Sequence, residues 1–502
     1  MAKITHHAVL GLQDIMKIGD LVLLPLEGQL FEQIRSKRIS EGDHPSENLH
    51  YYDLLEVQKL STKYGRERYT TGVEPKWAKK HPVALLVKMR RDFAITELDP
   101  LAIVNELPYT GLSYMVEEDG LCGDVYRTFN LGRLSGIKQL GFLQAPLSLV
   151  NDMQYRMPLS ESNRYIHSLD VMAVATMIGQ NLGLSASRMA TLRTAALTHD
   201  IATPAGGDSV KMVDFQALDE DLNYKPYLER MDGWKELAQK WNIRKDVLFN
   251  TIRNEGLLGE ILDVADKCAY VGRDIKSFRN MIEGWVSVER HGMETLQLLL
   301  YAAPQVCSIW DSLAVCDGRL VFTDIPRLVT FLKVRVLLFR EFYYHPRARF
   351  GEFMMSRLLV KALYKKGILT PEVLLELDDN GLELIIQQEY GYRVFGTIRS
   401  DQARVETFYS MPEAERFMSK LKRQGNLFVL CDDNTRAIKA GTNFLVRTKG
   451  MVMKLADAAP LDAQEIQQMA ELLPRVHVYW IEGEPAMGRE LLDELIELLG
   501  LK

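Results

Sequence analysis

Glu161–Asp170, ESNRYIHSLD, is the stretch whose reading decides the fold. Its polar start around Ser160–Ser162 suits helix capping, and Ile166, Leu169, Val174 and Met177 follow on one apolar face. His167 stands in the first turns of that helix, and three later segments make chemical sense when folded back onto it. They are Thr198–Asp200 (THD), Asp263–Asp274 (DVADKCAYVGRD) and Arg335–His345 (RVLLFREFYYH). With His167 they offer imidazoles and carboxylates for a metal, with cations and aromatics beside them.

Outward from this stretch the chain keeps a helical texture. Ser187–Ile201 places Met189, Leu192 and Ala196 on one stripe, and Pro204–Gly207 stops it. Gly259–Phe278 predicts a third helix, and Pro326–Tyr344 with Phe350–Lys365 a fourth and fifth. Upstream, Arg133–Leu143 (RLSGIKQLGFL) spaces Leu134, Ile137, Leu140 and Leu143 three apart, which predicts one stripe along a helix. The expected fold is mainly α, with a helical core across residues 116–386. Residues 1–115 form a mixed N-terminal region without an assigned fold. There, Gly11–Leu30 looks strand-rich, and Lys76–Arg91 carries basic clusters at the ends of an apolar run, either solvated or an anion patch. Residues 387–502 predict a small α/β appendage, with strands near Leu427–Cys431, Asn443–Arg447 and Arg475–Ile481 and helices over Asp462–Leu473 and Arg489–Leu499. Packing or oligomerisation is its expected role.

Composition narrows the classes. The 502 residues exceed one ordinary core, and 47% hydrophobic with 25% charged residues is the balance of a soluble globular protein. A net charge of −6 gives no global attraction to nucleic acid or anionic membrane, so any basic site is local. The five cysteines are scattered without a CxxC, which argues for reduced thiols rather than a disulfide framework. No charged head with a long apolar run opens the chain, and no apolar window approaches the ~20 residues of a membrane span. A cytoplasmic location is expected.

His199-Asp200 lies where an apolar helix ends. Adjacent side chains on a helix point about 100° apart, so both reach one metal only at such an end. His167 and Asp266 would complete a set of two imidazoles and two carboxylates around one divalent ion, with Mn, Fe, Mg and Zn all compatible. Singly, each residue has an ordinary explanation as a surface or satisfied core group. On the Asp263–Asp274 helix, Asp266, Tyr270 and Asp274 lie four apart and share one face.

These motifs resemble the HD-domain phosphohydrolases, and within them the deoxynucleoside triphosphate triphosphohydrolase branch. Arg133-Leu134 with Ile137–Gly141 is similar to that branch's RL..IKQLG segment, and Asn163-Arg164 with His167–Leu169 to its NRFEHSL segment. Asp266-Lys267, Tyr270 and Arg273-Asp274 match a DK..Y..RD helix, and Arg335, Tyr343 and His345 match an R…Y.H helix. The resemblance covers residues 124–385. It implies that His167, His199, Asp200 and Asp266 hold the metal, and that Arg164, Lys267 and Arg335 meet phosphates. It also implies that Gln139 and Asp274 bind a sugar 3′-hydroxyl, with Leu140, Tyr270 and His345 at the same substrate site. Tyr343 would pack under the sugar and exclude a 2′-hydroxyl. The implied partners are a dNTP substrate and further copies of the same chain.

One segment departs from the branch. Where the branch carries GHGPFSH, this chain reads Ile201–Asp208, IATPAGGD, with Thr203 and Asp208 roughly where the histidines would stand. Asp208 is then the candidate to orient water or relay its proton, alongside Arg164 and Lys267 as charge stabilisers. Three functional readings follow: a dNTP triphosphohydrolase, an HD phosphatase or phosphodiesterase with another phosphorylated substrate, and a nucleotide-binding regulator with little turnover.

Overall fold

The computed structural model describes residues 120–144, 162–285, 309–391, 403–426, 429–433, 441–473 and 476–481, four short strands before residue 115, and a few positions near 298, 306 and 494–499. The fold is mainly helical. The Lys76–Arg91 basic stretch and most of the Arg489–Leu499 helix lie outside the described residues. Within Gly11–Leu30, β1 (Met16–Ile18) and β2 (Leu21–Leu23) pair antiparallel, as do β3 (Asn105–Leu107) and β4 (Leu112–Tyr114).

After α1 (Leu121–Phe129), the centre of the fold is α2 (Arg164–Asn181). Asn163 caps it: its backbone is extended, and its side-chain oxygen accepts from the Ile166 amide at 2.8 Å. The helix ends at Gly183, whose left-handed φ of 67° lets the Leu184 amide return to the Gly179 carbonyl. Nearly every α2 side chain is buried, so the helix is apolar all round rather than one-faced. Each fully buried Leu, Met or Val on it contributes about 1.5–3 kcal/mol. Packed against it are α3 (Ala186–Thr198) and α7 (Gly256–Trp285), with α5 (Glu220–Arg230) and α6 (Lys245–Ile252) leading from the one to the other.

Between them, α4 (Gly207–Lys211) is a single short turn. It begins at Gly206, where φ is +81° and an added Cβ would stand 2.3 Å from a Val210 methyl, so only glycine fits. Helix α3 stops at Thr198, three residues before the expected Ile201, leaving His199 and Asp200 in the turn that follows. Helix α7 runs longer than the expected Gly259–Phe278.

The Arg133–Leu143 segment is not one helix. Leu131–Gly136 is a 3-10 turn, Ile137 is extended, Lys138 bridges to Asn163, and Gly141–Gln144 forms a second 3-10 turn. A spacing of three suits three residues per turn as well as an α-helix. The break is enforced by pairing with the start of α2: the Arg164 amide donates to the Ile137 carbonyl at 2.8 Å.

The fourth expected helix is also divided. Helix α8 (Ile325–Leu338), capped by Asp324, passes into one wider π turn over Phe339–Tyr343. Then come α9 (Pro346–Phe353), a π segment over Met354–Val360, and, further on, α10 (Asp379–Tyr390).

The residue 387–502 segment contributes to two places. In one, β7 (Ala403–Phe408), α11 (Met411–Arg423), β8 (Val429–Asp433) and β11 (Val476–Ile481) make an antiparallel sheet, order β7-β11-β8, with a helix packed on it. In the other, β9 (Leu445–Thr448) and β10 (Met451–Lys454) extend the hairpin of β5 (Leu313–Cys316) and β6 (Arg319–Phe322). Phe322 and Val446 mark the parallel β6–β9 contact, and α12 (Pro460–Glu471) lies on α8. Val446, Leu455, Ile466 and Ala470 belong to the same apolar core as α2, α3 and α7. Among the described residues no helix is long and apolar enough to cross a membrane.

Candidate metal and phosphate site

Several elements converge on one cavity of ≈460 Å³. Helix α2 supplies Arg164 and His167, the end of α3 supplies His199 and Asp200, and α7 supplies Asp266, Tyr270 and Asp274. Arg335 comes from α8, and Tyr343 from the π turn after it. Gln139 and Leu140 reach the cavity from the extended break between the two 3-10 turns, and Asp208 from α4. That break therefore has a consequence: it aims Gln139 into the cavity, where it is 7% exposed.

The proposed metal ligands meet at the floor. His167 Nε2 lies 3.4 Å from His199 Nε2, 2.9 Å from Asp266 Oδ1 and 3.9 Å from Asp200 Oδ2, while His199 Nε2 is 3.5 Å from Asp200 Oδ2. The donor atoms of His167, His199 and Asp266 all lie within 4.8 Å of one another. His199 Nδ1 is 2.8 Å from the Ala196 carbonyl, a partner that can only accept, so Nδ1 carries a hydrogen and Nε2 is the nitrogen turned to the cluster. Two imidazole nitrogens face each other among carboxylate oxygens, a donor set that suits a divalent cation.

Asp200 is held ionised. Burial alone would raise its carboxyl, but the Arg164 guanidinium, donating to Oδ2 at 3.0 Å, and the two histidines hold it well below the usual carboxylate range. Burial opposes charge on His167 as well, yet its contact with Asp266 lifts the imidazole above its ordinary value. Arg164 itself is buried and bridges outward, its other terminal nitrogen donating to Asp208 Oδ2 at 2.5 Å. Asp208 also pairs with Lys211 at 2.6 Å. Although desolvation inside the cavity works the other way, these two cations keep Asp208, whose side chain is more than half exposed, below the usual carboxylate range, so it is an acceptor rather than an acid at neutral pH.

At the other end, the Tyr343 hydroxyl donates to Asp274 Oδ2 and its ring packs edge-on against Phe339 at 4.8 Å. The π turn swings Tyr343 to this position, since the Tyr344 amide reaches back five residues to the Phe339 carbonyl. Arg335 Nε donates to the Tyr270 hydroxyl at 2.5 Å, and the guanidinium lies over the Phe339 ring. Gln139 Oε1 and Asp274 Oδ1 are buried acceptors with no protein donor. Two such orphan acceptors on one cavity wall are matched to a ligand that brings hydroxyl groups.

Two residues expected at the site lie apart from this wall. Lys267 is turned along α7 to Asp263, four residues back, and does not line the cavity, and neither does His345. Adjacent to Asp266 on a helix, Lys267 points about 100° away from it, and the i,i+4 acid gives it a partner there. Thr203, in the departing loop, is fully buried rather than in the cavity.

The structure adds residues the sequence did not single out: Glu220, Asp221, Arg349 and Glu352 line the cavity too. Glu220 and Asp221 open α5 within the run Asp219-Glu220-Asp221, a cluster visible in the sequence but without a place until Asp219 caps the helix. Burial pushes the Glu220 carboxyl up to about 7, with Lys211 opposing and Asp208 assisting.

A family model described as the HD domain matches residues 164–271, the span that contains all four proposed metal ligands. No curated protein matches the sequence. The fold is similar to a hypothetical protein from Aquifex aeolicus, with TM-score 0.51 and 16% identity over 76% of this chain and 95% of that one. It is likewise similar to a phosphohydrolase from Bacteroides thetaiotaomicron, with TM-score 0.52 and 16% identity over 77% of this chain and 99% of that one. At this identity the likeness is one of fold.

Proposed function

We propose that the protein is a metal-dependent phosphohydrolase acting on nucleotides, and that its substrates are dNTPs, split into deoxynucleoside and triphosphate. The observation that carries the reading is the convergence of His167, His199, Asp200 and Asp266 beside Arg164 and Arg335 in one cavity. The phosphohydrolase with the similar fold adds to it, as does the resemblance of the four motifs.

A divalent cation bound to these ligands would supply Lewis-acid polarisation and a stronger nucleophile from water. The protein's own groups do the rest. Arg335 presents a fork-shaped donor to phosphate oxygens and stabilises charge that grows on them, and Arg164, whose two terminal nitrogens hold Asp200 and Asp208, adds its positive charge from behind. Asp208, held ionised by Arg164 and Lys211, accepts a hydrogen bond from the attacking water and orients it. Gln139 Oε1 and Asp274 Oδ1 take the sugar hydroxyl, and Tyr343 limits the space beneath the ring. Lys267, engaged with Asp263, takes a smaller part than the resemblance implies.

The test uses the full-length protein with Mn²⁺, Mg²⁺ or Fe²⁺ and each dNTP, following triphosphate release. Release of monophosphate or pyrophosphate instead identifies a phosphatase or phosphodiesterase. Tight dNTP binding without turnover identifies a regulator, a reading that the burial of Thr203 favours because no side chain replaces the loop histidine there. Asp266→Ala is expected to lower metal affinity more than the 10–100-fold typical of residues behind the ligands, and to abolish turnover. A variant that retains metal and activity would remove the assignment.

A further inference from the structure

The β7-β11-β8 sheet is tied to the cavity by a chain of buried polar groups that the proposed chemistry does not use. Asp432, on β8, is 1% exposed. Its two oxygens accept from Arg349 Nε at 3.0 Å and Nη2 at 3.1 Å, a two-point grip on the guanidinium. Arg349 Nη1 pairs with Glu352, one turn further along α9. Glu352 Oε1 accepts from the Ser209 hydroxyl at 2.7 Å, and the Ser209 oxygen in turn accepts from the Phe142 amide at 3.0 Å. Ser209 belongs to α4, next to Asp208. The same sheet holds the start of the Tyr344–Arg349 segment in two more places. His477 Nε2 lies 3.1 Å from the Tyr344 carbonyl, and the Tyr479 hydroxyl donates to the Pro346 carbonyl at 2.8 Å.

We infer that Asp432 is a positioning residue for the cavity, setting the Gly206–Lys211 segment, and with it Asp208, through Arg349, Glu352 and Ser209. Chemical logic favours this over simple packing. A five-residue turn opened by two glycines has little intrinsic stability, so what fixes Asp208 is what α4 is bonded to. Arg164 holds the Asp208 carboxylate and Glu220 holds Lys211, while the backbone and core side of the turn are anchored by Asp379, accepting from the Gly206 amide at 2.7 Å, and by Ser209 through Glu352. A buried carboxylate such as Glu352 stays in one geometry only while its cation does, and Asp432 grips that cation from the far side. Residues 403–433 and 476–481 are thereby part of how the site is held rather than an attachment to it.

The experiment uses the full chain with Asp432→Asn, Ser209→Ala and the double variant. Hydrogen exchange is read at peptides covering 204–213 and 164–181, and this readout needs no activity. Both single variants are expected to speed exchange at 206–211 by about tenfold, the size of one lost charge-assisted hydrogen bond, and to leave 164–181 unchanged. The second readout rests on the phosphohydrolase reading: each single variant lowers kcat by about tenfold with KM little changed, and the double variant by about the same tenfold. Faster exchange in Asp432→Asn confined to 429–433 and 344–350, or a multiplicative loss of about a hundredfold in the double variant, overturns the inference. If Asp432→Asn does not fold, Arg349→Lys carries the same expectation, since lysine keeps the charge and loses the two-point grip. A wild-type protein without turnover defeats the phosphohydrolase reading and leaves the exchange result to decide this one.

Discussion

Replacing Asp274 with asparagine should flatten the pH dependence of stability. The side chain is fully buried, its Oδ2 accepts from the Tyr343 hydroxyl, and its Oδ1 has no protein donor. Burial pushes the carboxyl from its ordinary 3.8 up to about 7, with the Tyr343 hydroxyl opposing. The folded state therefore keeps a proton between pH 4 and 7 that the unfolded chain has already released. Stability from this group is full below about pH 4, falls as pH rises, and is level again above 7. Three pH units at about 1.36 kcal/mol each make the loss about 4 kcal/mol. Asparagine cannot ionise, so that slope disappears, while the buried amide costs about 1–3 kcal/mol at every pH. The variant should be the less stable protein at pH 4 and the more stable one at pH 7.5. Urea unfolding of metal-stripped protein from pH 4 to 8 measures this, because a nearby cation would itself favour the ionised form. Parallel curves for the two proteins would show that Asp274 is already charged in the folded state, and the reasoning would fail.

Arg164→Met should cost about 3–5 kcal/mol in denaturant unfolding, because Asp200 would be left buried without its cation; a loss under 1 kcal/mol would contradict the pairing. Tyr343→Ala should weaken discrimination between dNTPs and NTPs by roughly 10–200-fold in kcat/KM, and an unaltered ratio would count against a steric sugar gate. Arg335→Ala should raise KM for dNTP strongly while Lys267→Ala changes it less than about threefold, since only Arg335 lines the cavity. Equal effects would mean that Lys267 leaves Asp263 when substrate binds.

What could be read in advance was local and chemically marked. Asp266, Tyr270 and Asp274 all line the cavity because a four-residue spacing fixes their common face on α7. The helix start was visible only to within a few residues: Ser160–Ser162 suited capping, and Asn163, just beyond it, is the residue that caps. What stayed hidden had no local signal. The three-residue spacing of Leu134, Ile137, Leu140 and Leu143 fits two kinds of helix, and only the pairing of Lys138 with Asn163 decides between a helix and a break. The turn of Lys267 towards Asp263 was derivable from helix geometry, yet adjacency to Asp266 suggested a shared task. Arg349 reaches its partner Asp432 across 83 positions, a distance over which no periodicity carries information.

The pairing of Phe322 with Val446 bears on how the chain is made. Strand β6 and the greasy side of α8 are translated long before Val446, Leu455 and Ile466, which seal them. As the nascent chain emerges, the helical core waits with an open flank at α8 and an unpaired margin on β6, the kind of exposure that draws chaperones or invites aggregation. Cutting the chain after residue 386 to obtain a minimal enzyme would make that unfinished state permanent.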